Sequence, residues 1–142
     1  MLTTEILLPV VTLVAWSMVM WVWMYATRIP AALAMGLEFD PHAPIPQQMS
    51  TLPSKARWKA DNYNHLMEQP TIFYALAVSL AFLGEGGGLN LYLAWGYVGC
   101  RVCHSLVQAT INHIGMRSSL FLISNAFLFA LTFRAMFAFY DQ

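Results

Sequence analysis

The sequence predicts an all-α fold, a transmembrane four-helix bundle that takes up residues 1–142 as a single domain. Three observations predict it. Hydrophobic residues make up 58% of the chain and charged residues 10%, against about 45–50% and about 25% in soluble domains; mean hydropathy is +0.55. Apolar runs long enough to cross about 30 Å of hydrocarbon as helices recur four times. Where polar residues interrupt these runs, they do so at three- and four-residue spacing, the periodicity of one helix face. Lipid admits helices or closed barrels, and every run here has helical length.

The first span covers about residues 6–27. It carries no charge, places Pro9 in its first turns, where a missing N–H costs least, and ends on Trp21, Trp23 and Tyr25, an interfacial aromatic belt. Arg28–Pro53 holds five of the seven prolines and reads as an extended connection, with a short interfacial helix over Ala31–Leu37. Ser54 is placed to cap a long helix running to about Leu83. Its first turns, with Lys55, Arg57 and Lys59, lie in the headgroup layer, and its membrane span covers about residues 60–83. Gly84-Glu85-Gly86-Gly87-Gly88 is a tight loop. The third span covers about 89–114, Gly115 breaks it, and the fourth covers about 118–140. There is no internal repeat.

Basic residues set the orientation. Arg28, Lys55, Arg57 and Lys59 lie in the first connection and Arg117 in the third, while the glycine loop and both termini have none. The positive-inside rule then makes those two connections cytoplasmic and both termini external. A formal net charge of zero gives no reason to expect nucleic acid as a partner. Two cysteines are too few for a disulfide framework. The N-terminal run has no basic segment ahead of it and does not read as a signal peptide.

Function concentrates in two polar stripes. On the second helix these are Asp61, Asn64 or His65, and Glu68; on the third they are Arg101, His104, Gln108 and Asn112. At about 1.5 Å per residue, Glu68 lies roughly 23 Å from the outer surface, and Arg101 and His104 roughly 18 and 22 Å. An unpaired Glu or Arg at such depth costs at least about 2.5–3.5 kcal/mol, so a Glu68–Arg101 or Glu68–His104 pair is the expected arrangement. By itself the pair reads as a lock between helices. With Arg117 and the second-helix cations at the same rim, a second reading stands beside it, a polar cleft for a small anion carrying carboxylates, which arginine forks match; the second-helix cations read equally as solvated or lipid-facing.

Arg101-x-x-His104, followed by Asn112 and Arg117, resembles the third span of the MAPEG family, the membrane-associated proteins in eicosanoid and glutathione metabolism. Asp61-Asn62-x-Asn64-His65-Leu66-x-Glu68-x-Pro70-x-x-Phe73-Tyr74 is similar to the second-span signature of its bacterial members. The resemblance covers nearly the whole chain. It implies a homotrimer in the lipid bilayer, with glutathione as cosubstrate bound between subunits near the cytoplasmic face. It also implies transfer of glutathione to lipophilic small molecules, or reduction of lipid hydroperoxides.

Carried over position by position, Arg117 matches the arginine that stabilises the glutathione thiolate and is the catalytic candidate. Glu68 matches the second-span glutamate, and Arg101 and His104 the third-span pair. The family places an arginine four or seven residues before that glutamate and an asparagine three before it; here the positions hold Asn64, Asp61 and His65. The tyrosine four residues after the histidine is Gln108. The binding set is therefore Asn64, His65, Glu68, Arg101, His104 and Gln108. Arg117 supplies charge, with Gln108 or Ser118 as donors to the thiolate, and the acceptor enters from the bilayer along an apolar groove.

Other signals lead elsewhere. A MAPEG-fold protein without catalysis, binding lipid or a partner, is the alternative reading. A third uses Cys100 and Cys103 as a membrane thiol oxidoreductase, although such enzymes need a second cysteine pair. Cys100-Arg101-Val102-Cys103-His104 also matches the haem-attachment string, but lies mid-span. His65, Glu68 and His104 could face one metal ion, yet Asp61 and Glu68 are the only nearby carboxylates and no metal site is expected. His42 and His113 should be solvated. Arg134, well inside the last span, should snorkel outward or pair across a subunit boundary.

Overall fold

The structure is a computed structural model that describes residues 2–140. It is all-helical, with no strand among the described residues. The helices are α1 (Leu7–Ala34), α2 (Ile45–Met49), α3 (Ser54–Glu68), α4 (Pro70–Phe82), α5 (Gly88–Thr110) and α6 (Ile114–Tyr140). Two of them, α1 and α6, are long and apolar enough by length and composition to cross a membrane. The other two expected spans differ for local reasons. α5 has the length but carries Arg101, His104 and Gln108 on its buried face, and the second expected helix is divided.

That division is at Pro70. Its ring nitrogen has no hydrogen to give the carbonyl of Leu66, so α3 ends at Glu68 and α4 starts at Pro70, with Gln69 between them. Gln69 keeps helical torsions, φ −70° and ψ −37°, so the two pieces remain in succession.

Several expected boundaries move. α1 does not stop at Thr27 but continues through Pro30 to Ala34, absorbing much of the short helix expected over Ala31–Leu37. It ends on Gly36, whose φ of +61° lets Leu37 N–H reach the Ala32 carbonyl and Gly36 N–H the Leu33 carbonyl. The connection beyond is not wholly extended, since α2 forms within it. Ser54 is the first helical residue rather than the cap; Pro53 takes the cap position and no side chain caps the helix. Asn112, not Gly115, separates the last two helices. It adopts φ +52°, its N–H bonds the Val107 carbonyl at 2.7 Å, and Gly115 lies inside α6.

Buried positions follow a seven-residue stripe on each long helix. On α1 they include Leu13 and Met20, fully buried like Ile6 just before the helix, with Pro9, Ser17 and Met24 between and beyond them. On α5 the stripe runs through Asn90, Ala94, Tyr97, Arg101, His104 and Gln108, and on α6 through Ser124, Leu128, Leu131 and Ala135. Such narrow stripes suit helices packed nearly parallel. The opposite faces are apolar and open: Leu8, Val11, Val22, Phe129, Phe133 and Phe137 are each more than half exposed. This arrangement suits a hydrocarbon surround rather than water.

At the far end of α4, Gly84 (φ +78°) closes the helix, with Glu85 N–H on the Leu80 carbonyl. The N-terminal segment docks here: Thr3 N–H bonds the Ala81 carbonyl at 3.2 Å, and its hydroxyl donates to the Gly84 carbonyl at 2.8 Å. Arg134 is exposed but is also tied within the chain. Its Nε donates to Asn90 Oδ1 of α5, and Asn90 Nδ2 donates to the Glu85 carbonyl, which ties α6 to the glycine loop.

Candidate functional site

α3, α5 and α6 enclose a cleft of about 580 Å³. From α3, Asp61, Asn64, His65 and Glu68 line it, which places the whole predicted stripe on one wall. His104 and Gln108 come from α5, and Arg117, Ser118, Phe121 and Leu122 from the start of α6. Asn64, His65, Glu68, His104, Gln108 and Arg117 thus meet in one cavity, and Arg101 lies beneath it.

Arg101 is completely buried. Its Nη2 donates to the main-chain carbonyl of His65 at 3.2 Å, and its Nη1 to Gln69 Oε1 at 3.3 Å and His65 Nε2 at 3.3 Å. The face of Phe121 lies 5.8 Å from the guanidinium carbon. Gln69 is held in turn, its amide donating to Asn125 Oδ1 of α6.

The expected Glu68–Arg101 and Glu68–His104 pairs do not form. His65 and Gln69, four residues apart, point at α5, while Glu68 is rotated from them toward the cleft mouth with its side chain 73% exposed. Its contact is with His65, Nδ1 to Oε2 at 3.7 Å, the one approach of an acidic to a basic side chain within 4 Å among the described residues. Because Nε2 accepts from a guanidinium, the neutral imidazole carries its proton on Nδ1, toward Glu68. The ring of His104 lies 5.0 Å from that of His65, centroid to centroid.

Arg117 occupies the opposite wall, half-buried. Its Nη1 donates to Asn112 Oδ1 at 2.8 Å, so the residue that ends α5 in a left-handed conformation also aims the arginine that begins α6. Asn112 accepts φ > 0 because its short side chain tolerates that region better than most. His113 is exposed, as expected, but also caps α6, its Nδ1 accepting from Met116 N–H at 3.2 Å. Within the cleft wall, Gln108 Oε1 is buried and has no hydrogen-bond partner. An acceptor left this way is costly unless a donor reaches it, and a ligand N–H in the cleft would do so.

Sequence reasoning missed the layer under the cleft. Asn62 Nδ2 donates to Ser105 Oγ at 2.6 Å, and Trp16 Nε1 donates to the same oxygen at 3.0 Å, which joins α3, α5 and α1. Asn62 and Ser105 each adjoin a stripe residue, so only a closer reading of helix faces would have found them. Cys100 and Cys103 are free, half-buried and exposed respectively, and neither lines the cleft. No group of three potential metal ligands occurs among the described residues.

The family model described as "MAPEG family" matches residues 6–137, nearly the whole chain. No curated protein and no solved structure matches it.

Proposed function

The chain belongs to the MAPEG family, and from that premise we propose that it is a glutathione-dependent transferase or peroxidase of the inner membrane. In this reading α1, α3 with α4, α5 and α6 form a four-span bundle, three copies assemble as a homotrimer, and both termini lie outside the cytoplasm. The cleft between α3, α5 and α6 then opens toward the cytoplasm, where glutathione is available.

One observation carries the reading: Arg117 faces the cleft, fixed by Asn112, beside the unpartnered Gln108 and the Ser118 hydroxyl. A positioned cation lowers the pKa of a bound thiol, since it favours the thiolate over the neutral form. Asp61 and Glu68 on the facing wall suit the tripeptide's ammonium group, and Gln108 Oε1 suits one of its amide N–H groups. Asn64, His65 and His104 line the middle, with Arg101 setting the position of His65 from below. The thiol releases its proton to water in the open cleft. The thiolate sulfur forms a bond to an electrophilic carbon of a lipophilic substrate, and the leaving group departs with its electron pair. Phe121 and Leu122, the latter 67% exposed, give that substrate an apolar approach from the bilayer side.

Purified protein should be thermally stabilised by glutathione and should conjugate glutathione to a generic aryl halide, and Arg117→Ala should lose both. Stabilisation without turnover in the unaltered protein would favour the alternative, a non-catalytic binding protein of the same fold. Loss of turnover in a Cys100→Ser, Cys103→Ser double variant with binding retained would favour thiol–disulfide chemistry on α5.

A further inference from the structure

A second cleft, of about 360 Å³, lies beside the first, where the end of α1 meets α2 and the start of α3. Two guanidinium groups line it, Arg28 from α1 and Arg57 from α3, opposite an apolar wall of Ile45, Pro46 and Met49. Among the described residues neither arginine has a carboxylate within ion-pair distance. The Nε of Arg28 is buried and has no hydrogen-bond partner. Asp61 also contributes to the wall, but it stands on the side shared with the larger cleft, which it lines as well. Two unpaired cations facing one cavity, one of them with an orphaned buried donor, form a site for an oxyanion.

Its position along α1 indicates which oxyanion. Trp21 and Tyr25 stack edge to face at 5.0 Å, and both are substantially exposed, as aromatic residues are at a membrane–water boundary. Arg28 follows Tyr25 by three residues, about 4.5 Å along the helix, which brings its guanidinium to the level of lipid phosphates. We propose that this cleft binds the phosphate of an anionic phospholipid headgroup, clamped between Arg28 and Arg57, with the glycerol and first methylenes against Ile45, Pro46 and Met49. Arg28 Nε–H is directed at one phosphate oxygen, and the exposed Arg57 closes over another. A headgroup seated there braces α2 against α1 and α3 and covers the outer wall of the glutathione cleft. The proposal shares with the functional reading only its placement of this rim in the headgroup layer and does not depend on glutathione.

The test uses the full chain in a zwitterionic detergent. Thermal unfolding is followed during titration with phosphatidylglycerol, with phosphatidylcholine, and with inorganic phosphate. Phosphatidylglycerol should raise the melting temperature saturably, and the other two should not. Arg28→Gln and Arg57→Gln should each weaken the apparent affinity about fivefold, while Arg117→Gln should leave the lipid response unchanged even where it removes the response to glutathione. If Arg28→Gln does not fold, Arg28→Lys with Arg57→Gln, which keeps one charge but no fork, should show the same weakening. An equal shift from phosphatidylcholine, an unchanged phosphatidylglycerol affinity in the arginine variants, or no shift at all would overturn the proposal. A shift reproduced by inorganic phosphate would also overturn it, in favour of a soluble phosphate compound.

Discussion

Arg101 and Glu68 do not touch; the imidazole of His65 stands between them, its Nε2 3.3 Å from the arginine and its Nδ1 3.7 Å from the glutamate. The two terminal nitrogens of a fully buried guanidinium are thus met by a carbonyl, an amide and a ring nitrogen rather than by a carboxylate, and its Nε has no partner. The arrangement keeps the positive charge inside the bundle and leaves Glu68 free at the cleft mouth. It gives the two ends of the expected pair different roles: Arg101 orders the floor, and Glu68 is available to a ligand.

This division has a direct consequence for stability. Arg101→Ala removes a large buried side chain and orphans the His65 carbonyl and Gln69 Oε1, and should cost about 2–5 kcal/mol. Glu68→Gln, at an exposed side chain, should change stability by about 0.5 kcal/mol or less. Denaturant or thermal unfolding in detergent distinguishes this from a direct pair, in which the two losses would be comparable.

Asn112 links helix geometry to the site. Asn112→Ala loses the acceptor for Arg117 and places alanine at φ +52°, so it should lower stability by about 1 kcal/mol and weaken glutathione binding about tenfold. Asn112→Gly should recover the stability, since glycine accepts the conformation, but not the affinity. Melting temperature and glutathione titration measured on both variants separate the two effects.

The glycine loop anchors the N-terminal segment. A Cβ at Gly86 would stand 2.1 Å from the Thr3 carbonyl oxygen, a backbone atom that cannot swing aside. Gly86→Ala should therefore detach Thr3, destabilise the protein by about 1–3 kcal/mol, and speed amide exchange in the first turn of α1. Gly99→Ala, in α5 with nothing within 4 Å of the new methyl, should stabilise by about 0.5–1 kcal/mol.

Much of this was legible in the sequence because helix periodicity and hydropathy act locally. Asp61, Asn64, His65 and Glu68 share a face wherever the helix goes, and Arg101, His104 and Gln108 likewise. Which member of a face meets which partner depends on rotation and bending, and those follow from tertiary packing. Pro70 splits the second helix, Gln69 becomes the residue that meets both Arg101 and Asn125, and Glu68 turns outward. Boundaries moved for a related reason: the first span is expected to end near Thr27, yet the helix runs on through Pro30 and stops only where Gly36 supplies a left-handed residue. Gly115 was taken as the break before α6, whereas Asn112 supplies the left-handed turn three residues earlier.

The most direct test of the central claim, that Arg117 holds a thiolate in the α3–α5–α6 cleft, is the near-ultraviolet difference spectrum of purified protein titrated with glutathione at neutral pH. A saturable thiolate band should appear with the unaltered protein and be absent with Arg117→Ala at glutathione concentrations that saturate the former. No band with the unaltered protein, or an equal band with Arg117→Ala, would contradict the account.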